Sequence, residues 1–155
     1  MISILENSNI LDVKSGIICH QTNCIGIMGG GLALSNRRKW PIVYDQYYKY
    51  CRSFDDSRSL LSHVQTIAID GNLIVANCFG QHMPGHGLMT DYNAWDKILP
   101  KLADEAAFFN NSTIHFPWMI GCGLAGGDWN IMQEKIEKFF LTRTSVPICF
   151  HKFSV

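Results

Sequence analysis

Hydrophobic and polar positions along the chain fall into short β-like runs that alternate with longer helical segments. Six runs rich in β-branched and other apolar residues predict strands, at 2–5, 15–20, 63–69, 72–78, 112–119 and 146–150. Four segments predict helices, at 31–39, 42–51, about 92–108, and 131–140. Strands interleaved with helices predict an α/β fold, with a mixed central sheet of about six strands and helices on both faces.

Turn and cap residues sharpen this prediction at three places. Asp70-Gly71 separates two of the strands, and this dipeptide is favoured in two-residue hairpin turns. Asp91 precedes the third helix, where its side chain is suited to cap the free N–H groups. Pro100 lies inside the same helix, so we expect it to kink that helix or split it in two.

Length and composition predict one globular domain over residues 1–155. Apolar residues make up 47% of the chain and charged residues 17%, which argues against disorder. Thirteen basic and thirteen acidic residues cancel, so the sequence shows no electrostatic footprint for nucleic acid or a membrane surface. We therefore expect neither direct nucleic-acid binding nor a membrane partner.

The six cysteines do not form the pattern of a disulfide framework, because several lie in apolar runs typical of buried strands. Met1 leads straight into a strand without a signal-peptide pattern, so we expect free thiols in a reducing cytoplasm. Cys19, His20 and Cys24 are close in sequence, but no second CxxC or HxxxH completes a zinc site. The sequence thus predicts no metal and no cofactor.

Two glycine-rich loops carry the clearest functional signal. The first, NCIGIMGGG at 23–31, and the second, IGCGLAGG at 120–127, each follow a predicted strand and precede a predicted helix. Glycine lets the backbone approach a ligand closely, and a helix N-terminus adds positive partial charge, so such loops favour anions. Tight strand-to-helix turns are the simpler explanation of one such loop, but two in matching contexts favour a phosphate site. Neither loop is GxxxxGK[ST], and the first lacks GxGxxG, which argues against a triphosphatase and an ordinary dinucleotide fold.

The stretches IICHQTNCIGIMGGGLA and FPWMIGCGLAGGDW resemble the two halves of the macrodomain signature. Their order and spacing, with the hairpin and third helix between them, resemble the branch containing ADP-ribose 1″-phosphate phosphatases and terminal ADP-ribose glycohydrolase. The resemblance covers nearly the whole chain. It implies a three-layer α/β/α fold with a cleft for ADP-ribose or a close derivative, carried either as a free nucleotide or on an ADP-ribosylated protein.

The same resemblance implies a set of site residues. Asn23 corresponds to an asparagine at the distal ribose, and the second loop would cradle the diphosphate through backbone N–H groups. Asn9 stands where many macrodomains have an aspartate that binds the adenine amino group, so selectivity for adenine is open. The full expected ligand-binding set is Asn9, Ile10, Gln21, Gly26, Met28, Gly29, Gly30, Gly31, Leu32, Gln81, Ile120, Gly121, Cys122, Gly123, Leu124 and Ala125.

Three residues are candidates for catalysis: His20, Asn23 and Asp128. His20 can titrate near neutral pH as a general acid or base, although a half-buried core histidine fits the pattern equally well. Asp128 is the carboxylate next to the loops, but aspartate is also a preferred N-cap for the following helix. The resemblance implies a lysine nucleophile after the hairpin and an aspartate in the second loop for the glycohydrolase branch. Neither is present here, so a lysine-dependent covalent mechanism is not expected.

Three functions remain open from the sequence, and a hydrolase is narrowly favoured because His20 lies close to Asn23. A hydrolase would remove the 1″-phosphate or an ester-linked group from ADP-ribose, whereas a binding module would capture ADP-ribose, an ADP-ribosylated target or a related signalling nucleotide without turnover. A different sugar nucleotide is the third possibility, because aromatic residues such as Trp118 and Tyr92 are available to line a pocket for another base. The 80–89 loop is expected to be either a lid or a surface excursion. The cytoplasm, or the host cytoplasm for a phage product, is the expected location.

Overall fold

In a computed structural model of the chain, which describes residues 1–153, the backbone forms six strands and four α-helices. The strands are β1 (Ile2–Leu5), β2 (Gly16–Thr22), β3 (Val64–Ala68), β4 (Leu73–Phe79), β5 (Ile114–Pro117) and β6 (Ile148–His151). The helices are α1 (Gly31–Lys39), α2 (Pro41–Arg52), α3 (Tyr92–Phe108) and α4 (Trp129–Thr142). Each predicted strand and helix is present, with its ends displaced by no more than two residues.

The six strands form one sheet in the order β1-β6-β5-β2-β4-β3. All neighbouring pairs are parallel except β3 and β4, which form an antiparallel hairpin. The sheet is therefore mixed and six-stranded, and the predicted α/β fold class is confirmed. Its parallel centre explains the apolar runs in the sequence, because such strands are buried on both faces.

Two hydrophobic cores lie on opposite faces of the sheet. On one face, which α1 and α2 cover, Ile18 packs with Val43 of α2. Ile17 packs with Trp95 of α3 and Ile136 of α4 on the other face. Because successive strand residues point to opposite faces, β2 contributes to both cores and the fold has three layers. Within residues 1–153, no helix combines the length and the apolar character needed to cross a bilayer.

The structure corrects two local predictions. Asp70 begins a three-residue connection to β4 rather than a two-residue turn, and its carboxylate accepts hydrogen bonds from the N–H groups of Asn72 and Leu73 at 2.7 and 2.9 Å. Gly71 does not adopt the positive φ that a type I′ turn would require. Pro100 does not split α3, because buried Leu99 and Leu102 pack on either side of it.

The sheet order places a crevice between β2 and β5. These adjacent parallel strands lead into loops followed by α1 and α4, which cover opposite faces of the sheet. Helices that leave neighbouring strands in opposite directions open a gap beyond the carboxyl ends of those strands. Both glycine-rich loops lie at this gap.

Candidate ligand-binding cleft

A cleft of about 560 Å³ lies at this edge of the sheet and is lined by both glycine-rich loops. The loops also approach each other across it, since a Cβ atom added to Gly30 would lie 2.9 Å from Leu124 Cδ1. The lining residues that the sequence also predicted are His20, Gln21, Asn23, Gly29, Gly30, Gly31, Leu32, Gln81, Ile120, Gly121, Gly123, Leu124 and Ala125.

Both loops present backbone N–H groups that no acceptor within residues 1–153 uses. In the first loop these belong to residues 29–33, which form the last turn before α1 and its first turn. In the second loop they belong to Gly121, Gly123, Leu124 and Ala125. Free amides around one cleft, with the N-terminus of α1 among them, form a site for an anion with several oxygen acceptors.

Asn23 organises the first loop from inside. Its amide nitrogen donates to the Ile27 carbonyl at 2.8 Å, and its side-chain oxygen accepts from Ile25 N–H at 3.1 Å and from Tyr47 Oη at 2.7 Å. Tyr47 Oη in turn accepts from Gly26 N–H at 3.2 Å. Because Asn23 is only 7% exposed and most of its polar capacity is used, the structure places it as the internal brace of the loop.

Gln21 has the corresponding place beneath the second loop. Its side-chain oxygen accepts from Trp95 Nε1 at 2.7 Å, and its amide nitrogen lies 2.9 Å from Gln81 Oε1 and 3.0 Å from Thr90 Oγ1. Thr90 donates onward to the carbonyl of Gly121. This chain of hydrogen bonds ties the end of β2, the 80–89 loop and the second glycine-rich loop into one unit.

The 80–89 loop forms a third wall of the cleft, through Gln81 and residues 84–86. His82 accepts through its carbonyl from the N–H of Cys24 in the first loop, and Met89 N–H donates to Ala125 of the second loop, both at 2.8–2.9 Å. The loop therefore contacts both glycine-rich loops. A role of this loop as a lid that closes over a ligand stays a prediction.

His20 lies on the floor of the cleft and is 1% exposed. Its Nε2 lies 2.5 Å from Asn77 Oδ1, and Asn77 presents that oxygen because its amide nitrogen donates to Gln65 Oε1 at 3.1 Å. The bond identifies Nε2 as the protonated nitrogen of a neutral ring, which leaves Nδ1 as an acceptor. Nδ1 and the hydroxyl of Thr22, another lining residue, are both buried without a partner within residues 1–153. Both atoms are closed off from solvent, as are Asn36 Oδ1 and Trp129 Nε1, which lie outside the lining and likewise have no partner among the described residues, and each such buried group requires an explanation.

Burial lowers the pKa of His20 to about 4, and the hydrogen bond to Asn77 opposes this change only in part. An unfolded chain holds histidine with a pKa of about 6.5, so below that pH it binds a proton that the native protein does not. Stability should therefore fall as the pH drops from about 6.5 to about 4, with His20 contributing up to about 3 kcal/mol. His20→Gln should flatten this part of the curve. Urea unfolding midpoints at several pH values measure it, and parallel curves for the two proteins would contradict the expectation.

The described lining of the cleft contains no lysine, arginine, aspartate or glutamate. Asp128 lies outside it: its side chain caps α4 by accepting from Asn130 N–H at 2.8 Å, and its own N–H donates to Tyr92 Oη. The structure thus shows Asp128 as the N-cap of α4, and its catalytic role stays a prediction. Within the described lining, backbone N–H groups therefore supply most of the positive potential for an anion.

Five further residues of the expected binding set also lie away from the lining. Asn9 caps a short 3₁₀ turn by accepting from Leu11 N–H at 3.0 Å, and Ile10 is buried behind it. Gly26 and Met28 are buried on the α1–α2 side. The Cys122 N–H is bonded to the Met119 carbonyl. The adenine contact implied for Asn9 therefore stays a prediction.

Several lining residues were not in the ligand-binding set that the resemblance implied. They are Thr22, Ile27, Ala33, Pro84, Gly85, His86, Pro117, Trp118 and Met119. Trp118 was named only for the alternative of a pocket for another base. It directly follows β5. Like the glycine-rich loops, it lies at the carboxyl end of a strand, and this position indicates that it can contact a ligand. No sequence pattern singled out Thr22. Its distinguishing feature is a buried hydroxyl without a hydrogen-bond partner within residues 1–153, which only the structure shows.

A groove of about 690 Å³ also lies between α3 and α4, lined by residues such as Pro100, Lys135 and Arg143. Apart from Ile131 in the first turn of α4, its lining residues lie beyond the first turns of α3 and α4, where N–H groups are bonded within the helices. It therefore lacks the set of free amides that marks the cleft between the loops.

No protein-family model matches the chain. Among solved structures, a protein of unknown function from Bacteroides thetaiotaomicron is 27% identical, with a TM-score of 0.86 over 99% of this chain and 98% of that one. A macrodomain protein from Streptomyces coelicolor is also 27% identical, with a TM-score of 0.80 over 99% of this chain and all of that one. The chain has the macrodomain fold. The macrodomain of Mycobacterium tuberculosis DarG matches at 20% identity, with a TM-score of 0.83 over 99% of both chains.

Curated relatives match this macrodomain more weakly in sequence. The DNA ADP-ribosyl glycohydrolase of Mycobacterium tuberculosis is 23% identical over 135 residues, which are 86% of this chain. The macrodomain spans only 37% of that relative's length. An ADP-ribose 1″-phosphate phosphatase from Aspergillus oryzae is 33% identical over 54 residues, or 34% of this chain and 27% of that protein.

Proposed function

We propose that this macrodomain binds ADP-ribose or a close derivative in the cleft between its glycine-rich loops, and hydrolyses a group attached to the distal ribose. The observation that carries the proposal is the set of backbone N–H groups without an acceptor within residues 1–153 that belong to the residues of both loops lining one cleft. Several amide donors with no charged side chain among them suit a diphosphate, whose oxygens can accept many hydrogen bonds at once.

The similar proteins support the same ligand class. A DarTG protein of Thermosipho africanus, solved in complex with ADP-ribose, has a TM-score of 0.76 to this chain, over 97% of this chain and 41% of that one, at 14% identity. Both curated relatives carry names of enzymes that act on ADP-ribose or ADP-ribosyl groups. Their activities come to this chain as a proposal, because the chain matches only part of each.

His20 is the residue to which we assign the chemistry. The substrate proposed is ADP-ribose 1″-phosphate: water attacks the phosphorus, the bond between phosphorus and the 1″ oxygen breaks, and ADP-ribose and inorganic phosphate leave. We propose that ligand binding exposes the buried Nδ1 of His20, which then accepts a proton from the attacking water and passes it to the departing 1″ oxygen. Removal of an ADP-ribosyl ester would use the same water and the same acceptor.

Release of inorganic phosphate from ADP-ribose 1″-phosphate tests the catalytic part. The wild-type protein should release phosphate, and His20→Ala should lower kcat by about 100-fold or more, since a general base contributes that much. Affinity for ADP-ribose should change by less than about 3-fold, because the diphosphate contacts remain. His63→Ala is the matched control, since that imidazole bonds to Tyr50 and lies outside the lining.

One observation favours the alternative, a binding module without turnover. The described lining holds no carboxylate and no lysine, so His20 would act without a second ionised group. In that case ADP-ribose would bind normally, and neither the 1″-phosphate nor an ADP-ribosyl ester would be hydrolysed by the wild-type protein. Absence of ADP-ribose binding in calorimetry would contradict both forms of the proposal.

A further inference from the structure

Three metal-ligand side chains meet on the sheet face opposite the α3–α4 core. The register of β5 with β6 pairs His115 with Cys149 and Pro117 with His151, so these three side chains extend from one face of adjacent strands. One ligand atom from each of His115, Cys149 and His151 lies within 4.8 Å of the other two. Cys149 and His151 are 6% and 5% exposed, and His115 is half-buried.

The outer nitrogen of each imidazole is already held by a hydrogen bond. His115 Nε2 lies 3.2 Å from the Ser15 carbonyl, which can only accept, so this nitrogen carries the proton. His151 Nδ1 lies 2.7 Å from Ser8 Oγ. The inner nitrogens, His115 Nδ1 and His151 Nε2, face each other at 2.8 Å. Metal-binding histidines are held in this way, with the outer nitrogen bonded to a carbonyl or hydroxyl and the inner one directed at the ion.

We propose that His115, Cys149 and His151 form a binding site for a borderline-soft divalent cation, with Zn²⁺ as its natural occupant. Two imidazoles and a thiolate are donors that zinc prefers, and the cluster offers none of the oxygen ligands that Mg²⁺ or Ca²⁺ require. Zinc bonds of about 2.0–2.1 Å to nitrogen would set the two inner nitrogens about 3.3 Å apart. The pair would therefore open by about half an ångström on binding, and a water completes a four-coordinate site.

Binding of the ion changes the protonation of two residues, Cys149 and His151. The Cys149 thiol loses its proton to solvent when its sulfur binds the ion. The proton on His151 moves from Nε2 to Nδ1, from which it donates to Ser8 Oγ, so both rings stay neutral. Burial lowers the pKa of both histidines, which keeps them neutral and available as ligands near pH 7. One proton is thus released for each ion bound.

The hydrogen bonds of this cluster do not explain why Cys149 lies beside the two histidines. Without an ion, the chain Ser8 to His151 to His115 to Ser15 satisfies all four ring nitrogens. The Cys149 sulfur has no part in that chain, and its one acceptor, the Phe150 carbonyl, lies at 3.7 Å. A bound ion gives the sulfur a role and joins the 8–15 segment to β5 and β6. The site lies behind the wall of the cleft, because Trp118 N–H donates to the His151 carbonyl.

Cobalt titration of the chelator-treated protein tests the proposal. Co²⁺ should bind one to one, with intense tetrahedral d–d bands and a thiolate-to-cobalt charge-transfer band, and Zn²⁺ should displace it. Cys149→Ser should lose the charge-transfer band and weaken binding at least about 100-fold, and Ser8→Ala about 10-fold, as expected for loss of an outer partner. Cys51→Ser is the control, since it removes another buried thiol and should leave the spectrum unchanged.

Zinc should also raise the melting temperature of the wild-type protein, because an ion bound by the native state alone stabilises it. His115→Ala, at the half-buried position, should fold and lose this shift even if Cys149→Ser is poorly folded. No cobalt binding by the wild-type protein would overturn the proposal. So would a charge-transfer band that survives in folded Cys149→Ser.

Discussion

Gly30→Glu is expected to weaken ADP-ribose binding by at least about 100-fold, or about 2.7 kcal/mol, while the protein stays folded. Gly30 has an extended backbone, with φ −155° and ψ 168°, which any residue can adopt. A side chain there meets only the flexible end of Leu124, at 2.9 Å. The new carboxylate would stand beside the free N–H groups of the first loop and repel a diphosphate.

Gly71→Glu is the matched control for this prediction. It makes the same change of residue and charge at a glycine that has nothing within 4 Å of an added Cβ and lies in the β3–β4 connection. Calorimetry should find its affinity for ADP-ribose unchanged. Equal affinities for the two variants would show that the ligand does not use the first loop.

Gly126→Val is expected to destabilise the protein by about 3 kcal/mol or more. Gly126 has φ +73°, a left-handed conformation that costs other residues about 1–2 kcal/mol. An added Cβ would also overlap the backbone carbonyl oxygen of Gly87, so the 80–89 loop would have to move. Thermal unfolding should show a melting temperature lower by about 6–12 °C.

Gly71→Val serves as the reference for this loss of stability. Its φ lies outside the left-handed region and its surroundings are open, so the change should stay within about 0.5 kcal/mol. If Gly126→Val and Gly71→Val have the same melting temperature, the second glycine-rich loop and the 80–89 loop are not in the close contact that the structure shows. If folded Gly126→Val also binds ADP-ribose more weakly, the contact between Gly126 and Gly87 contributes to the shape of the cleft.

The sequence predicted the order of the elements well, because the signals involved are local. Apolar runs and Asp91 as an N-cap each depend on a few neighbouring residues. The two glycine-rich loops were predicted for the same reason, since each lies directly between a strand and a helix. Tertiary packing explains why Pro100 does not split α3, since buried leucines lie on either side of it.

The roles of individual site residues depend on partners that are distant in sequence, and there prediction was weaker. Gln21 and Asn23 are adjacent to the cleft as expected, but their amides are engaged in bracing the loops. The Asp128 carboxylate caps α4 by accepting a hydrogen bond from Asn130 N–H. The grouping of His115 with His151 follows from the register of β5 and β6, which no spacing in the sequence reveals.

Backbone amide NMR during titration with ADP-ribose tests the shared diphosphate site most directly. Amide resonances of residues 29–33 and of Gly121, Gly123, Leu124 and Ala125 should shift together and saturate at one ligand per chain. Those of the α3–α4 groove, such as Lys135, should stay in place. Shifts confined to one loop, or to the groove while both loops stay unperturbed, would contradict a cleft in which two loops bind one diphosphate.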